Sequence, residues 1–168
     1  HTMFLTFGVK TGKISMGDLL RILPQTWAGN LLGSIAVALI YSYGGSLLPD
    51  AGSLAHKVAL AKTQAPALTL FMKGVLCNWL VCLAIWMALR TEGAAKFIAI
   101  WWCLLAFIAS GYEHSIANMG TFSMSLLGNG QITLGDALYN LAFSTLGNIV
   151  GGALFVGLPF SYINPSEE

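Results

Sequence analysis

Charge is what this sequence has least of. Its 168 residues include eight basic and seven acidic side chains, 9% of the chain, where soluble domains carry roughly 25%. With 56% hydrophobic residues and a mean hydropathy of +0.72, that composition reads as an integral membrane protein in a lipid bilayer. No basic tract exists to engage nucleic acid. Cysteine is equally sparse: Cys77, Cys82 and Cys103 all fall inside apolar segments and are odd in number, so they read as free thiols rather than a disulfide framework. The His residues at 1, 56 and 114 are far apart, and no CxxC, HExxH or paired-carboxylate motif accompanies them. Ser115 lacks the glycine-framed elbow of a serine hydrolase. These absences argue against an enzyme, a bound metal or any other cofactor. No secretory signal is visible.

Four long apolar runs fill the chain, at Leu19–Leu48, Ala65–Leu89, Phe97–Leu127 and Ala137–Tyr162. Each meets the requirement of about 20 residues per membrane crossing. A fifth, Thr2–Val9, is too short to cross alone. Lys10, Lys13, Arg21, Arg90 and Lys96 flank one side of these crossings, against Lys57 and Lys62 on the other. The positive-inside rule then places the Lys10 and Arg90 loops, and the Asn164–Glu168 tail, in the cytoplasm. Trp101, Trp102, Tyr41, Tyr43 and Tyr162 suit interfacial belts.

Sliding the chain by 118 residues aligns Gly12–Gly33 with Gly130–Gly151 without a gap, and nine of those twenty-two pairs are identical. Ordinary residue frequencies give about one or two. Each copy opens on a capping-box signal, Ser15-x-x-Asp18 and Thr133-x-x-Asp136, and carries Gly-Asn-x-x-Gly, whose small residues let helix backbones approach. The two copies are three crossings apart and so run in opposite directions. That is an inverted-topology repeat, in which sites form at broken helices near the bilayer midplane. Residues 1–168 are expected to form one transmembrane domain, incomplete at its N-terminus: 1–48 the end of the first repeat and 62–168 the second. About one and a half spans should precede His1, with Thr2–Val9 the second half of a broken helix.

The polar run Gly111-Tyr112-Glu113-His114-Ser115-Ile116-Ala117-Asn118 follows a strongly apolar segment. Unpaired polar groups at membrane depth cost several kcal/mol, so intramembrane ionisable residues point to function. His114 exchanges its proton near neutral pH and is the candidate for the transport path. Glu113 points about 100° away from it on a helix and reads as support, bonding freed backbone or a Lys. Asn118 could cap the following half-helix. Lys62, just before the helix that Thr63 and Pro66 start, and Lys73, two turns into that span, are both open as cationic partners. Asn78 with Val81, and Phe107 seven residues before His114, could form a polar ring bounded by a hydrophobic gate, or simply pack.

At Glu113-His114-Ser115-Ile116-Ala117-Asn118-Met119 the chain resembles the formate/nitrite transporter family. The resemblance continues through Ala61-Lys62-Thr63, Gly74-Val75-Leu76-Cys77-Asn78-Trp79-Leu80-Val81-Cys82 and both Gly-Asn-x-x-Gly segments. Around Arg90-Thr91-Glu92-Gly93 and Trp101-Trp102-Cys103 it is nearest to the family's nitrite channels. It implies an all-α, aquaporin-like bundle of six spans with inverted repeats and broken helices, of which this chain holds the last four plus half of the second. It also implies a homopentamer passing nitrite or similar small monovalent anions across the bacterial inner membrane. The family's pore histidine falls on His114, its supporting Lys, Asn, Glu and Asn on Lys62, Asn78, Glu113 and Asn118 with Ser115 beside them, and its constrictions on Val81 and Phe107. Formate or hydrosulfide are the neighbouring substrate readings, and a membrane anchor subunit holding a redox cofactor is the reading from another class.

Overall fold

The computed structural model describes residues 2–44, 53–128 and 132–163. Every regular element among them is helical. In order they are α1 (Thr2–Lys10), α2 (Met16–Tyr43), α3 (Leu54–Thr63), α4 (Ala67–Leu89), α5 (Gly93–Ala109), α6 (Ser115–Leu127), α7 (Leu134–Gly152) and α8 (Leu158–Ile163). A π-helical turn, Ala153–Gly157, joins the last two just before Pro159, which has no N–H to return to the preceding turn. Met16–Tyr43, Ala67–Leu89 and the continuous run Leu134–Ile163 are long and apolar enough to cross a membrane, and Gly93–Ala109 is a shorter apolar helix. His1 and the 164–168 tail lie outside the described residues.

Both repeat copies start their helices in the same way. The Ser15 hydroxyl accepts from the Asp18 N–H, and the Asp18 carboxylate accepts from the Ser15 N–H; Thr133 and Asp136 repeat the exchange. Such a cap removes two of the N–H groups a helix start leaves unpaired. Thr133→Ala is expected to lower stability by about 1 kcal/mol and to speed hydrogen exchange in the first turn of α7. Unchanged protection there would sink the assignment.

The core is built by close backbone approach. The α4–α7 pair is the most extensive helix contact. A Cβ on Gly74 would stand 2.8 Å from the Ser144 carbonyl oxygen and 3.1 Å from the Gly147 Cα. Cβ atoms on Gly147 and Gly151 would fall onto the Phe71 and Val75 carbonyl oxygens. Two helices packed this tightly need side chains to be absent along the seam, and the second Gly-Asn-x-x-Gly supplies that.

One sequence expectation needs correction. The stretch between the first two long apolar runs, which hydropathy leaves empty, contains α3, with Ser53 accepting from the His56 N–H as its cap. Lys62 stands in the last turn of α3, ahead of α4, which begins at Ala67 behind Pro66. A ten-residue helix is too short to register as a span, so hydropathy passes over it. The run Phe97–Leu127 is two helices, α5 and α6, separated by Ser110–His114, the break that the polar run marks.

Candidate functional site

The break between α5 and α6 is made by backbone chemistry. Gly111 adopts φ +61°, the left-handed conformation glycine tolerates. Its N–H donates to the Ile108 carbonyl and the Tyr112 N–H to the Phe107 carbonyl, which is a Schellman ending for α5. Three residues later His114 caps α6: its Nδ1 accepts from the Ala117 N–H at 3.2 Å. A neutral imidazole accepting at Nδ1 carries its proton on Nε2. The cap thus assigns the tautomer and leaves Nε2–H as the ring's free donor.

Glu113, one residue before the cap, is buried. Its Oε1 accepts from the Lys62 Nζ at 2.9 Å, and its Oε2 accepts from the amides of Asn118 and Asn140. Asn140 also donates to the Lys62 carbonyl at 2.9 Å and accepts from Asn118 at 2.9 Å. The backbone is held as firmly. The Glu113 N–H donates to the Lys73 carbonyl, and the Glu113 carbonyl accepts from the Asn148 amide at 2.8 Å. Asn148 also donates to the Gly74 carbonyl at 2.9 Å, while its Oδ1 accepts from both the N–H and the hydroxyl of Ser115. Every amide proton of Asn118, Asn140 and Asn148 is used. A buried carboxylate is tolerable only when its oxygens are satisfied in this way.

Beside this network lies a cavity of about 670 Å³ between α2 and α7, with His114, Ser115, Asn78 and Thr2 on its wall. Its lining includes aligned positions of the two repeat copies: Leu23 with Leu141, Pro24 with Ala142, Trp27 with Thr145, Asn30 with Asn148. One such pair is bonded directly, the Trp27 indole N–H donating to the Thr145 hydroxyl at 3.0 Å.

The expected residues divide accordingly. His114, Ser115 and Asn78 reach the cavity, while Lys62, Glu113 and Asn118 stand together behind it. The choice between lysines falls on Lys62, since Lys73 meets Glu113 through its carbonyl oxygen. Asn118 does not cap α6; His114 does, and Asn118 lies one turn in, on the buried face. Asn78 has both amide protons spent, on the Thr2 hydroxyl and the Asn148 carbonyl. It shapes the wall without a free donor. Phe107 has its ring 5.8 Å from that of His114, although the helix that was to align them is broken. Neither Phe107 nor Val81 is among the residues lining the cavity.

Asn140 and Asn148 were not singled out as site residues, and a signal existed. Asn140, Ser144 and Asn148 recur every fourth residue along α7, and all three are buried. Cys77, Cys82 and Cys103 are free and buried. Among the described residues no three His, Cys, Asp or Glu side chains converge as a metal site.

Known proteins share this fold. The chain is 67% identical, over its full length, to the nitrite transporter NirC of Escherichia coli K12, and spans 64% of that protein. A solved FNT family ion channel superposes with a TM-score of 0.93 at 64% identity, covering 98% of this chain and 68% of the other. A pentameric formate channel with formate bound superposes with a TM-score of 0.76 at 32% identity, covering 90% of this chain and 69% of the other. These relatives are transporters and channels, not enzymes, and with the apolar helices they mark an integral membrane protein. Residues 1–162 match the family described as formate/nitrite transporter, so the chain belongs to the formate/nitrite transporter family.

Proposed function

We propose that this chain forms, within a homopentamer in the bacterial inner membrane, most of a conduit for nitrite and similar small monovalent anions, with His114 at its centre. The observation that carries the reading is the cavity whose wall combines His114 with aligned residues from both repeat copies. The bond between Trp27 and Thr145, equivalent positions 118 residues apart, supports an inverted repeat, because residues beside a pseudo-two-fold axis meet their own counterparts. In that arrangement the chain contributes the last four spans and half of the second of six, divided as 1–48 and 62–168. The Lys10 and Arg90 loops and the C-terminus face the cytoplasm.

The chemistry follows from the donors. An anion entering from the Lys62 side passes the Lys62–Glu113 ion pair, then meets the Nε2–H of His114. A naked ion cannot pass the apolar wall cheaply; the family resemblance assigns the constrictions to Phe107, whose ring stands 5.8 Å from that of His114, and to Val81, both outside the cavity's lining. A proton taken up by the His114 ring converts Nδ1 to a donor and frees the Ala117 N–H, so proton uptake and the helix break are coupled. Passage is therefore expected to rise as pH falls. His114→Ala or His114→Gln in liposomes of the full-length protein is expected to cut nitrite flux at low concentration about tenfold or more and to flatten its pH response. A wild-type pH profile in both variants removes the proton link.

Formate and hydrosulfide present the same charge and comparable size. Nitrite is favoured by the E. coli relative's name, and parallel uptake of the three anions decides.

A further inference from the structure

Donors into the cavity are scarcer than its polar lining suggests. Asn78 and Asn148 have spent their amide protons on protein acceptors. Thr145 has not. Its oxygen accepts from the Trp27 indole N–H at 3.0 Å, and among the described residues no acceptor takes its own proton. A helical threonine commonly returns that proton to the carbonyl one turn back. Here the Leu141 carbonyl accepts from Ser144 instead, at 3.5 Å. A hydroxyl has one proton to give, and accepting a bond polarises it toward giving a second. Thr145 lines the same cavity as His114.

We propose that Thr145 is an anion-contacting residue of this cavity, its hydroxyl proton turned toward the permeating ion by the Trp27 indole N–H. Trp27 is the positioning residue: it lies against the core cluster around Phe122 and Leu141, which fixes its ring. A donor already fixed by its neighbour loses little freedom when an ion arrives, unlike a freely rotating hydroxyl. Small oxyanions with exposed lone pairs, nitrite and formate alike, fit this donor. The inference rests on reading the cavity as the anion path.

The test uses the full-length protein in proteoliposomes, with nitrite uptake measured against concentration and pH. Thr145→Val keeps the shape and removes the hydroxyl. It is expected to raise the half-saturating nitrite concentration about tenfold, with maximal flux and pH profile unchanged. Thr145→Ser restores the wild-type value, and Trp27→Phe, which keeps the hydroxyl but not its orienting bond, raises it by a smaller factor. An unmoved half-saturation in Thr145→Val, or a Thr145→Ser variant as impaired as Thr145→Val, overturns the inference. Should Thr145→Val fail to assemble, Trp27→Phe decides by the same measure: an unmoved value overturns it. A wild-type protein that carries none of nitrite, formate or hydrosulfide overturns the conduit reading, and this inference with it.

Discussion

A full-length protein carrying Gly151→Val is expected to lose its folded assembly. A Cβ at that position would fall onto the Val75 carbonyl oxygen and lie 3.0–3.1 Å from that residue's carbonyl carbon and Cα. What it meets is backbone on α4, which no rotamer change can clear. Overpacking a tight core costs typically about 1–3 kcal/mol, and a clash against main chain belongs at the upper end. The damage would spread, because α4 carries the Gly74 carbonyl that Asn148 binds, and Asn148 in turn holds Glu113 and Ser115. Pushing α4 from α7 thus opens the helix break as well. Gly17→Ala is the control, since its nearest neighbour would be the Ser15 hydroxyl at 3.4 Å. Thermal unfolding in detergent and gel filtration read the outcome. A Gly151→Val protein that elutes and melts like wild type would show that the seam has room to give.

The same seam shows what a sequence can reveal. Glycines at 147 and 151, spaced for one helix face, announce a close approach but not its partner; that Gly74 stands opposite is a matter of packing. The capping boxes were legible because their partners are three residues apart. So was the break at Gly111–His114, because a polar run ended an apolar one. The Glu113 network was only partly legible. Its bonds join residues 51 and 78 positions apart, so the spacing of Asn140 along α7 marks a buried polar position but not its partners. Asn118 was taken for a cap on the pattern of short polar residues at helix starts, but His114 sits at the position where the backbone turns, and its ring reaches the free N–H first. Phe107 was placed near His114 by counting turns along a helix that does not continue. The rings stand 5.8 Å apart because Phe107, in the last turn of α5, and His114 lie on either side of the Schellman turn.

Removing the carboxylate at the centre of that network is the second severe change. Glu113→Ala leaves the Lys62 ammonium without a counter-charge and strands an amide proton on each of Asn118 and Asn140. Breaking a buried pair by deleting one partner costs roughly 3–5 kcal/mol. Lys62 keeps 19% of its side chain exposed, so it can turn partly toward solvent, and a loss near about 3 kcal/mol is expected. Glu113→Gln does not rescue it, because the amide can turn its oxygen toward Lys62 or toward Asn118 and Asn140, and its NH2 then faces the donors on the other side. Lys62→Met combined with Glu113→Leu removes both charges together, and replacing such a pair by apolar residues is often neutral or stabilising. The double variant should therefore regain much of the stability lost in Glu113→Ala, a non-additivity that a thermal melt of each single and double variant measures. Flux should not return with it. The carboxylate that fixed Asn118 and Asn140 around the break no longer holds His114 in register. Stability without transport would separate the network's two duties. A double variant that transports nitrite like wild type would reduce Lys62 and Glu113 to packing alone.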